Sequence, residues 1–140
     1  MRRILVVDDS PLMRALYRQM LARRRDCSVS FATDGAEALA QIAAEEPHLV
    51  FLDINMPTMN GLEVLAHLRA SGALERVRVV IVSTEGSPKD VERGMNGGAS
   101  AYVSKPFQPN VLGAVVDRLV PLRNETPTIP CPSHGNTVGS

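Results

Sequence analysis

The sequence predicts an α/β fold, a doubly wound five-stranded parallel sheet with helices on both faces. Short apolar runs rich in β-branched residues recur along the chain, and the clearest are Ile4–Val7, Leu49–Leu52 and Val79–Val82. Continuously apolar runs of this length are typical of parallel strands that are buried on both faces. Amphipathic segments lie between the runs, and this alternation favours right-handed crossovers within one sheet.

The first two helices are predicted from their start signals. Ser10 followed by Pro11 predicts an N-cap with proline at the first helical position. Asp34 with Glu37 three residues later predicts a capping box for a helix over residues 35–44. The apolar positions expected on one face of the first helix are Leu12, Met13, Leu16, Tyr17 and Met20.

The remaining elements follow the same alternation. The segment Val29–Phe31 alternates in polarity and predicts an edge strand, whereas Ala101–Val103 is a short fifth strand. The starts of the last three helices are predicted at Gly61, Ser87–Pro88 and Pro109. Core-facing positions of the third and fifth helices are Leu62, Leu65, Leu68, Leu112, Val115, Val116 and Leu119.

Length and composition predict one globular domain with a short tail. The 140 residues are 44% hydrophobic and 21% charged, which is ordinary for a single domain with one core. Residues 1–120 carry the periodic pattern, and the Pro-rich residues 121–140 are expected to be extended or disordered. Cys27 and Cys131 have no CxxC spacing, so neither a disulfide framework nor a zinc site is predicted.

Charge and hydropathy argue against several classes of partner. Fifteen Lys and Arg against fifteen Asp and Glu leave a net charge of zero, without the basic footprint of a nucleic-acid or anionic-membrane binder. No apolar run approaches the roughly 18 residues of a membrane span. The apolar stretch that follows Met1–Arg3 ends at Asp8, which is too short for a signal peptide, so we expect a cytoplasmic protein.

Polar side chains follow four of the predicted strands. In doubly wound folds, functional groups gather at these carboxyl ends of the strands. These residues are Asp8, Asp9, Asp53, Ser83, Thr84 and Lys105. Three carboxylates in one cleft repel one another unless one is protonated or a hard cation lies between them. A few oxygen ligands suit Mg²⁺ better than Zn²⁺, and no histidine is near these positions. Carboxylate, cation, hydroxyl and ammonium together suit phosphoryl transfer.

The chain resembles the receiver domain of bacterial response regulators, of the single-domain chemotaxis type, over residues 1 to about 120. The stretches that carry the resemblance are Ile4–Ser10, Asp53–Pro57 with Asn60–Gly61, Val82–Glu85 and Gly98–Phe107. They occur in order and at strand ends, which makes the combination specific. The resemblance implies the flavodoxin-like strand order 2-1-3-4-5, which the receiver fold shares.

The resemblance also implies roles for individual residues. Asp53 is the expected phosphorylation site. Asp9 and Asp53 are expected to ligate Mg²⁺ directly with the backbone carbonyl of Asn55, and Asp8 to act through a bound water. Ser83 and Lys105 are expected to bind the phosphoryl group.

Four further positions are implied by the same resemblance. Tyr102 occupies the aromatic switch position, and Lys105–Pro106 matches the cis peptide bond of the family. Thr84 departs from the Ala or Gly of many relatives and is expected to crowd the mouth of the site. Asn55 and Glu85 flank the path of the attacking water and are expected to set the dephosphorylation rate.

This resemblance implies a stand-alone response regulator of a two-component system that is activated by phosphorylation. The protein would have no enzymatic activity beyond its own phosphorylation and dephosphorylation. Its partners would be a sensor histidine kinase and an unidentified downstream protein. We expect a monomer, because Ala99–Ala101 replaces the acidic residues that usually precede the aromatic residue in dimerising relatives.

Three alternatives stay open at this point. The first is a phosphorelay intermediate, and the second is a receiver from a longer regulator with residues 121–140 as its linker. The third, from another class, is an aspartyl-phosphate phosphohydrolase of the haloacid dehalogenase type. That enzyme needs an acid/base Asp where Asn55 stands, which argues against it. A flavodoxin, another doubly wound protein, is also disfavoured, because it would need a phosphate-binding loop where Asp8 and Asp9 stand.

Overall fold

The structure, a computed structural model, describes residues 2–22, 24, 26–54, 56, 59–83, 88–105 and 107–120. Its strands are β1 (Arg2–Val7), β2 (Cys27–Ala32), β3 (Leu49–Asp53), β4 (Arg78–Ser83) and β5 (Ala101–Ser104). Its helices are α1 (Pro11–Leu21), α2 (Gly35–Ala44), α3 (Gly61–Ala70), α4 (Pro88–Asn96) and α5 (Pro109–Leu119). The predicted tail, residues 121–140, lies outside the described residues.

The five strands form one parallel sheet in the order β2-β1-β3-β4-β5, which confirms the predicted fold class and strand order. A short 3-10 helix, Ala73–Glu75, joins α3 to β4. None of the helices within the described ranges is long and apolar enough to cross a membrane.

Side chains of the central strands alternate between two cores, one on each face of the sheet. In β1, Ile4 and Val6 pack with residues of α1 and α5, whereas Leu5 and Val7 pack with residues of α2 and α3. The same alternation holds in β3 and β4, whose residues are almost completely buried. Burial on both faces is why the central residues of these strands are apolar at consecutive positions rather than at every second one.

The described helix starts follow the predicted caps with one difference in detail, whereas Ser87, the predicted cap of α4, lies outside the described residues. Asp34 caps α2 through a hydrogen bond from the backbone N–H of Glu37 at 2.8 Å. The capping box predicted there is wrong, because the Glu37 carboxylate accepts from the N–H and hydroxyl of Thr33 instead of the N–H of Asp34. A complete capping box is found at α3, between Asn60 and Glu63.

The predicted apolar face of α1 is wrong at Leu12, which is 69% exposed. Tyr17 and Leu21 are the buried residues of this helix, and Met13 and Met20 pack against the same core. At 100° per residue Leu12 lies well away from the side of the helix defined by Tyr17 and Leu21.

Charged groups join β1 to α5 at the amino-terminal edge of the sheet. Arg2, only 5% exposed, pairs with Asp26 and Asp117 and also donates to the carbonyl of Val120 at 2.8 Å. Asp117 pairs in addition with Arg24. Burial opposes ionisation of Asp26, but the hydrogen bond from Arg2 and the positive charges of Arg2 and Arg24 hold the pKa of its carboxyl group below 3.8.

We predict that Asp26→Asn lowers the free energy of unfolding at neutral pH by about 1 kcal/mol, because a buried guanidinium loses a charged partner. The 36% exposure of the Asp26 side chain limits the effect. Because the folded-state pKa lies below the ordinary value of 3.8, this stabilisation is present above pH 3.8 and is lost as pH falls through the folded value.

The measurement is urea unfolding of both proteins at a series of pH values. Glu46→Gln is the matched control, since the Glu46–Arg76 pair is more exposed and should contribute less than Asp26 at neutral pH. A difference between Asp26→Asn and the natural protein that persists unchanged below pH 3 would contradict the role of the ionised carboxylate.

Candidate functional site

Strand register places the polar ends of four strands at one edge of the sheet. Val7 pairs with Leu52, so Asp8 follows β1 at the level of Asp53, the last residue of β3. Further along the sheet, Asp53 pairs with Val82 and Ser83 with Ser104. The residues predicted to converge therefore leave their strands within two residues of one another.

Hydrogen bonds of the backbone fix the turns that follow the strands at this edge. The N–H of Asp8 donates to the carbonyl of Ala32 at 3.1 Å, and the Ser10 side chain caps α1 by accepting from the N–H of Met13 at 3.2 Å. At β5 the N–H of Lys105 donates to the carbonyl of Ser83 at 2.8 Å. The side chains of Asp8 and Lys105 are thus attached to backbone that neighbouring strands hold.

Gly61 packs the start of α3 directly against the end of β3. A Cβ atom at this position would lie 2.5 Å from the carbonyl oxygen of Asp53, so only glycine permits the approach. The N–H of Gly61 donates to the carbonyl of Ile54 at 3.0 Å. The backbone of the turn after Asp53 is therefore held against α3.

Asp8, Asp9 and Asp53 form one acid cluster, in which one carboxylate oxygen from each residue lies within 4.8 Å of the others. Asp8 is 1% exposed and Asp53 is 5% exposed, while Asp9 is exposed to solvent. The cluster is open on the side of Asp9 and buried beneath. The predicted convergence of the three residues agrees with this arrangement.

The Lys105 ammonium enters the acid cluster from β5. Its Nζ atom donates to Asp8 Oδ2 at 2.8 Å and lies 3.6 Å from Asp53 Oδ2, and its side chain is 8% exposed. The sequence predicted that Lys105 reaches this edge but not that Asp8 is its nearer partner. With three ionised carboxylates and one ammonium, the cluster has a charge of −2.

The donors of the acid cluster suit a hard divalent cation. They are all carboxylate oxygens, and no histidine or cysteine of the described residues belongs to the group. A divalent cation would also balance the charge of −2. Asp8, Asp9 and Asp53 are thus the residues that would hold Mg²⁺, whereas Asn55 lies outside the described residues.

Three aromatic rings pack against one another on the α1 side of the sheet. The ring of Tyr17 lies 5.6 Å from Phe51 and 5.4 Å from Phe107 between centroids, in tilted contacts. Burial, with the negative charges of Asp8 and Asp53, raises the pKa of the Tyr17 hydroxyl above its ordinary value. The rings connect α1 to the strand that carries Asp53 and to the segment after Lys105.

Ser83 and Tyr102 lie on β4 and β5, the two strands of the sheet that follow β3. Ser83 ends β4 and is 1% exposed, and Tyr102 pairs with Ile81 across the neighbouring strand. Tyr102 packs partly buried on the α2 and α3 side of the sheet. Its hydroxyl is buried and forms no hydrogen bond with the described residues.

Several predicted features fall outside the described residues. These are Asn55, Thr84, Glu85 and the peptide bond between Lys105 and Pro106.

One contact at this edge has no counterpart in the sequence analysis. Arg14 donates from a guanidinium nitrogen to the backbone carbonyl of Asp8 at 2.9 Å. Its place in the first turn of α1 is the signal that could have indicated this contact, because helical side chains lean towards the amino terminus of their helix.

The chain matches one described protein family and is similar to several known proteins. The family described as response regulator receiver domain matches residues 4–117. A gliding motility regulatory protein of Myxococcus xanthus is 36% identical over 118 residues, and the match spans 84% of this chain but 15% of that protein. A chemotaxis protein CheY homolog of Campylobacter jejuni is 38% identical over 111 residues, spanning 79% of this chain and 85% of that protein.

Among solved structures, chemotaxis protein CheY4 of Vibrio cholerae superposes with a TM-score of 0.79 at 31% sequence identity. The superposition covers 86% of this chain and 99% of that one.

We predict that Mg²⁺ stabilises the folded chain through the acid cluster. A cation at a hundred times its dissociation constant adds about 2.7 kcal/mol to the free energy of unfolding. The gain should be much smaller in Asp9→Ala, which lacks the solvent-facing carboxylate of the cluster.

Urea unfolding with and without Mg²⁺ at constant ionic strength measures both gains. Glu92→Ala removes an exposed acid of α4 that is outside the cluster and should gain as much as the natural chain. Equal gains in the natural chain and in Asp9→Ala would show that the cluster does not hold the cation.

Proposed function

The chain belongs to the response regulator receiver domain family, and on that premise we propose that it is a signalling protein switched by phosphorylation of Asp53. The observation that carries the proposal is the position of the Asp53 carboxylate. It ends a central strand, is 5% exposed, belongs to the acid cluster and has the Lys105 ammonium 3.6 Å away.

The proposed reaction is transfer of a phosphoryl group from a phosphohistidine of a sensor kinase to Asp53. A carboxylate oxygen of Asp53 forms a bond to phosphorus as the donor's phosphorus–nitrogen bond breaks, and the histidine leaves. Positioning and charge stabilisation account for most of the catalysis of such transfers.

The residues around Asp53 supply that stabilisation in the proposal. Asp8 and Asp9, with Asp53 itself, would hold Mg²⁺, and the bound cation would neutralise charge on the transferred group. Lys105 would turn from Asp8 towards the new phosphoryl oxygens, a short movement because Asp53 Oδ2 already lies at 3.6 Å. Ser83, and Thr84 beside it, would donate hydrogen bonds to the same group.

Tyr102 would report the reaction to a partner. Its ring lies one strand away from Ser83, at the side of β5, and is only partly buried. We propose that movement of the β4 end on phosphorylation changes the place of this ring and thereby the face presented to a downstream protein. We further propose that the chain acts as a monomer, without nucleic-acid or membrane binding and without a catalytic activity on other substrates.

A second candidate is a receiver that works as part of a longer regulator. The observation that favours it is the match to the Myxococcus xanthus protein, of which this chain spans 15%. The stand-alone role is favoured by the Campylobacter jejuni relative, of which it spans 85%. Both candidates use Asp53 in the same way.

We predict that incubation with acetyl phosphate and Mg²⁺ adds the mass of one phosphoryl group to the intact chain. Asp53→Asn should abolish the gain, because an amide is a poor nucleophile. Asp90→Asn, a substitution in α4 away from the cluster, is the matched control and should be labelled normally. Undiminished labelling of Asp53→Asn would overturn the assignment of the phosphorylation site.

We predict that phosphorylated Asp53 decays within seconds to minutes rather than hours. Asn55 and Glu85 have polar side chains that would hold the attacking water in line, whereas Thr84 would crowd its path. Decay after removal of the donor should therefore be slower in Glu85→Leu and somewhat faster in Thr84→Ala. A lifetime of hours that neither substitution changes would exclude these positions as determinants of the rate.

A further inference from the structure

Every polar atom of Asp8 has a partner, and Arg14 supplies one of them from a different element. The N–H of Asp8 donates to Ala32 at 3.1 Å, and its two carboxylate oxygens accept from the N–H of Ser10 at 2.9 Å and from Lys105 at 2.8 Å. The remaining group is the backbone carbonyl, which accepts from the guanidinium of Arg14 at 2.9 Å. The residue is therefore fixed at all four of its polar atoms.

The carbonyl that Arg14 binds belongs to the peptide unit joining Asp8 to Asp9. A peptide unit is planar, so holding its oxygen also fixes the N–H of Asp9 and the direction in which the Asp9 chain leaves. Asp9 needs such support, because it is exposed and its carboxylate forms no hydrogen bond or ion pair with the described part of the chain. Arg14 can thus act on Asp9 without touching it.

We propose that Arg14 is a positioning residue of the acid cluster. It holds the Asp8–Asp9 peptide so that the Asp9 carboxylate points to the same place as those of Asp8 and Asp53, within the 4.8 Å that the three oxygens share. The inference rests on the proposed function only in taking the cluster as a cation site.

Charge and position make opposite predictions for Arg14, which makes the proposal testable. A positive charge beside a cation site lowers cation affinity, so a residue that acted by charge alone would weaken Mg²⁺ binding and its removal would strengthen it. A residue that orients a ligand does the reverse. Loss of a group that orients metal ligands typically reduces metal affinity about tenfold or more.

The test is the Mg²⁺ dissociation constant of Arg14→Met, measured by titration calorimetry with magnesium chloride. Methionine retains an apolar stem and removes both the charge and the donors. Arg18→Met is the matched control, because Arg18 lies one turn further along α1 and its guanidinium stacks 4.6 Å above the Phe31 ring. We expect Arg14→Met to bind Mg²⁺ about tenfold more weakly, and Arg18→Met to bind it no more weakly than the natural chain.

Arg14→Lys supplies the rescue, because it keeps the charge and restores one donor. We expect it to bind Mg²⁺ more tightly than Arg14→Met, and we expect all three variants to unfold at similar urea concentrations in EDTA. Unchanged or tighter Mg²⁺ binding by Arg14→Met would overturn the proposal. If Arg14→Met does not fold, Arg14→Lys is compared with the natural chain, where weaker binding supports the proposal and equal or tighter binding overturns it.

Phosphorylation of the natural chain at Asp53 tests the proposed function separately. If the natural chain binds Mg²⁺ but acetyl phosphate does not label it, the proposed function fails while the comparison of Arg14 variants still decides the positioning role. If labelling succeeds and Arg14→Met binds Mg²⁺ normally, only the positioning role fails.

Discussion

The ion pair between Asp8 and Lys105 is the interaction on which the functional edge of the sheet depends. Asp8 is 1% exposed and the Lys105 side chain 8% exposed, with 2.8 Å between their charged atoms. A carboxylate buried this deeply costs several kcal/mol unless it is paired. The Lys105 ammonium neutralises the charge of the Asp8 carboxylate. The carboxylates of Asp9 and Asp53 can therefore lie at the same edge, with a net charge that a divalent cation balances.

β1 is held by buried charge at both of its ends. It begins with Arg2, which pairs with Asp117 of α5, and it is followed by Asp8, which pairs with Lys105 just before α5. A shift of β1 by one residue against its neighbours would break both pairs and turn its side chains to the wrong faces. The same charges that prepare the site thus also help to fix the strand register that creates it.

The residues of the site are predictable from the sequence because the topology of the sheet determines where most of them lie. Parallel strands end at one edge, so polar residues after Val7, Leu52 and Val82 had to meet once the five strands were recognised. Topology alone does not determine which of these side chains contact one another. The nearer partner of Lys105, Asp8 rather than Asp53, depends on differences of under 1 Å between its two contacts.

Two flexible side chains and one helix position account for the other differences between the sequence-based expectations and the structure. Arg14 reaches a backbone carbonyl, and Glu37 bonds to Thr33 rather than to Asp34, in each case through a long and flexible side chain. Leu12 lies on the side of α1 that faces away from Tyr17 and Leu21, so it remains exposed.

The most direct test of this account is a double-mutant cycle of Asp8→Asn and Lys105→Met, with the free energy of unfolding measured in urea without divalent cations. If the pair is what permits the acid cluster, each single substitution destabilises the chain and the double variant is less destabilised than the sum. The account predicts a coupling free energy of about 1–3 kcal/mol between the two residues. Effects that add to within about 0.5 kcal/mol would contradict it, because the two charges would then be independent.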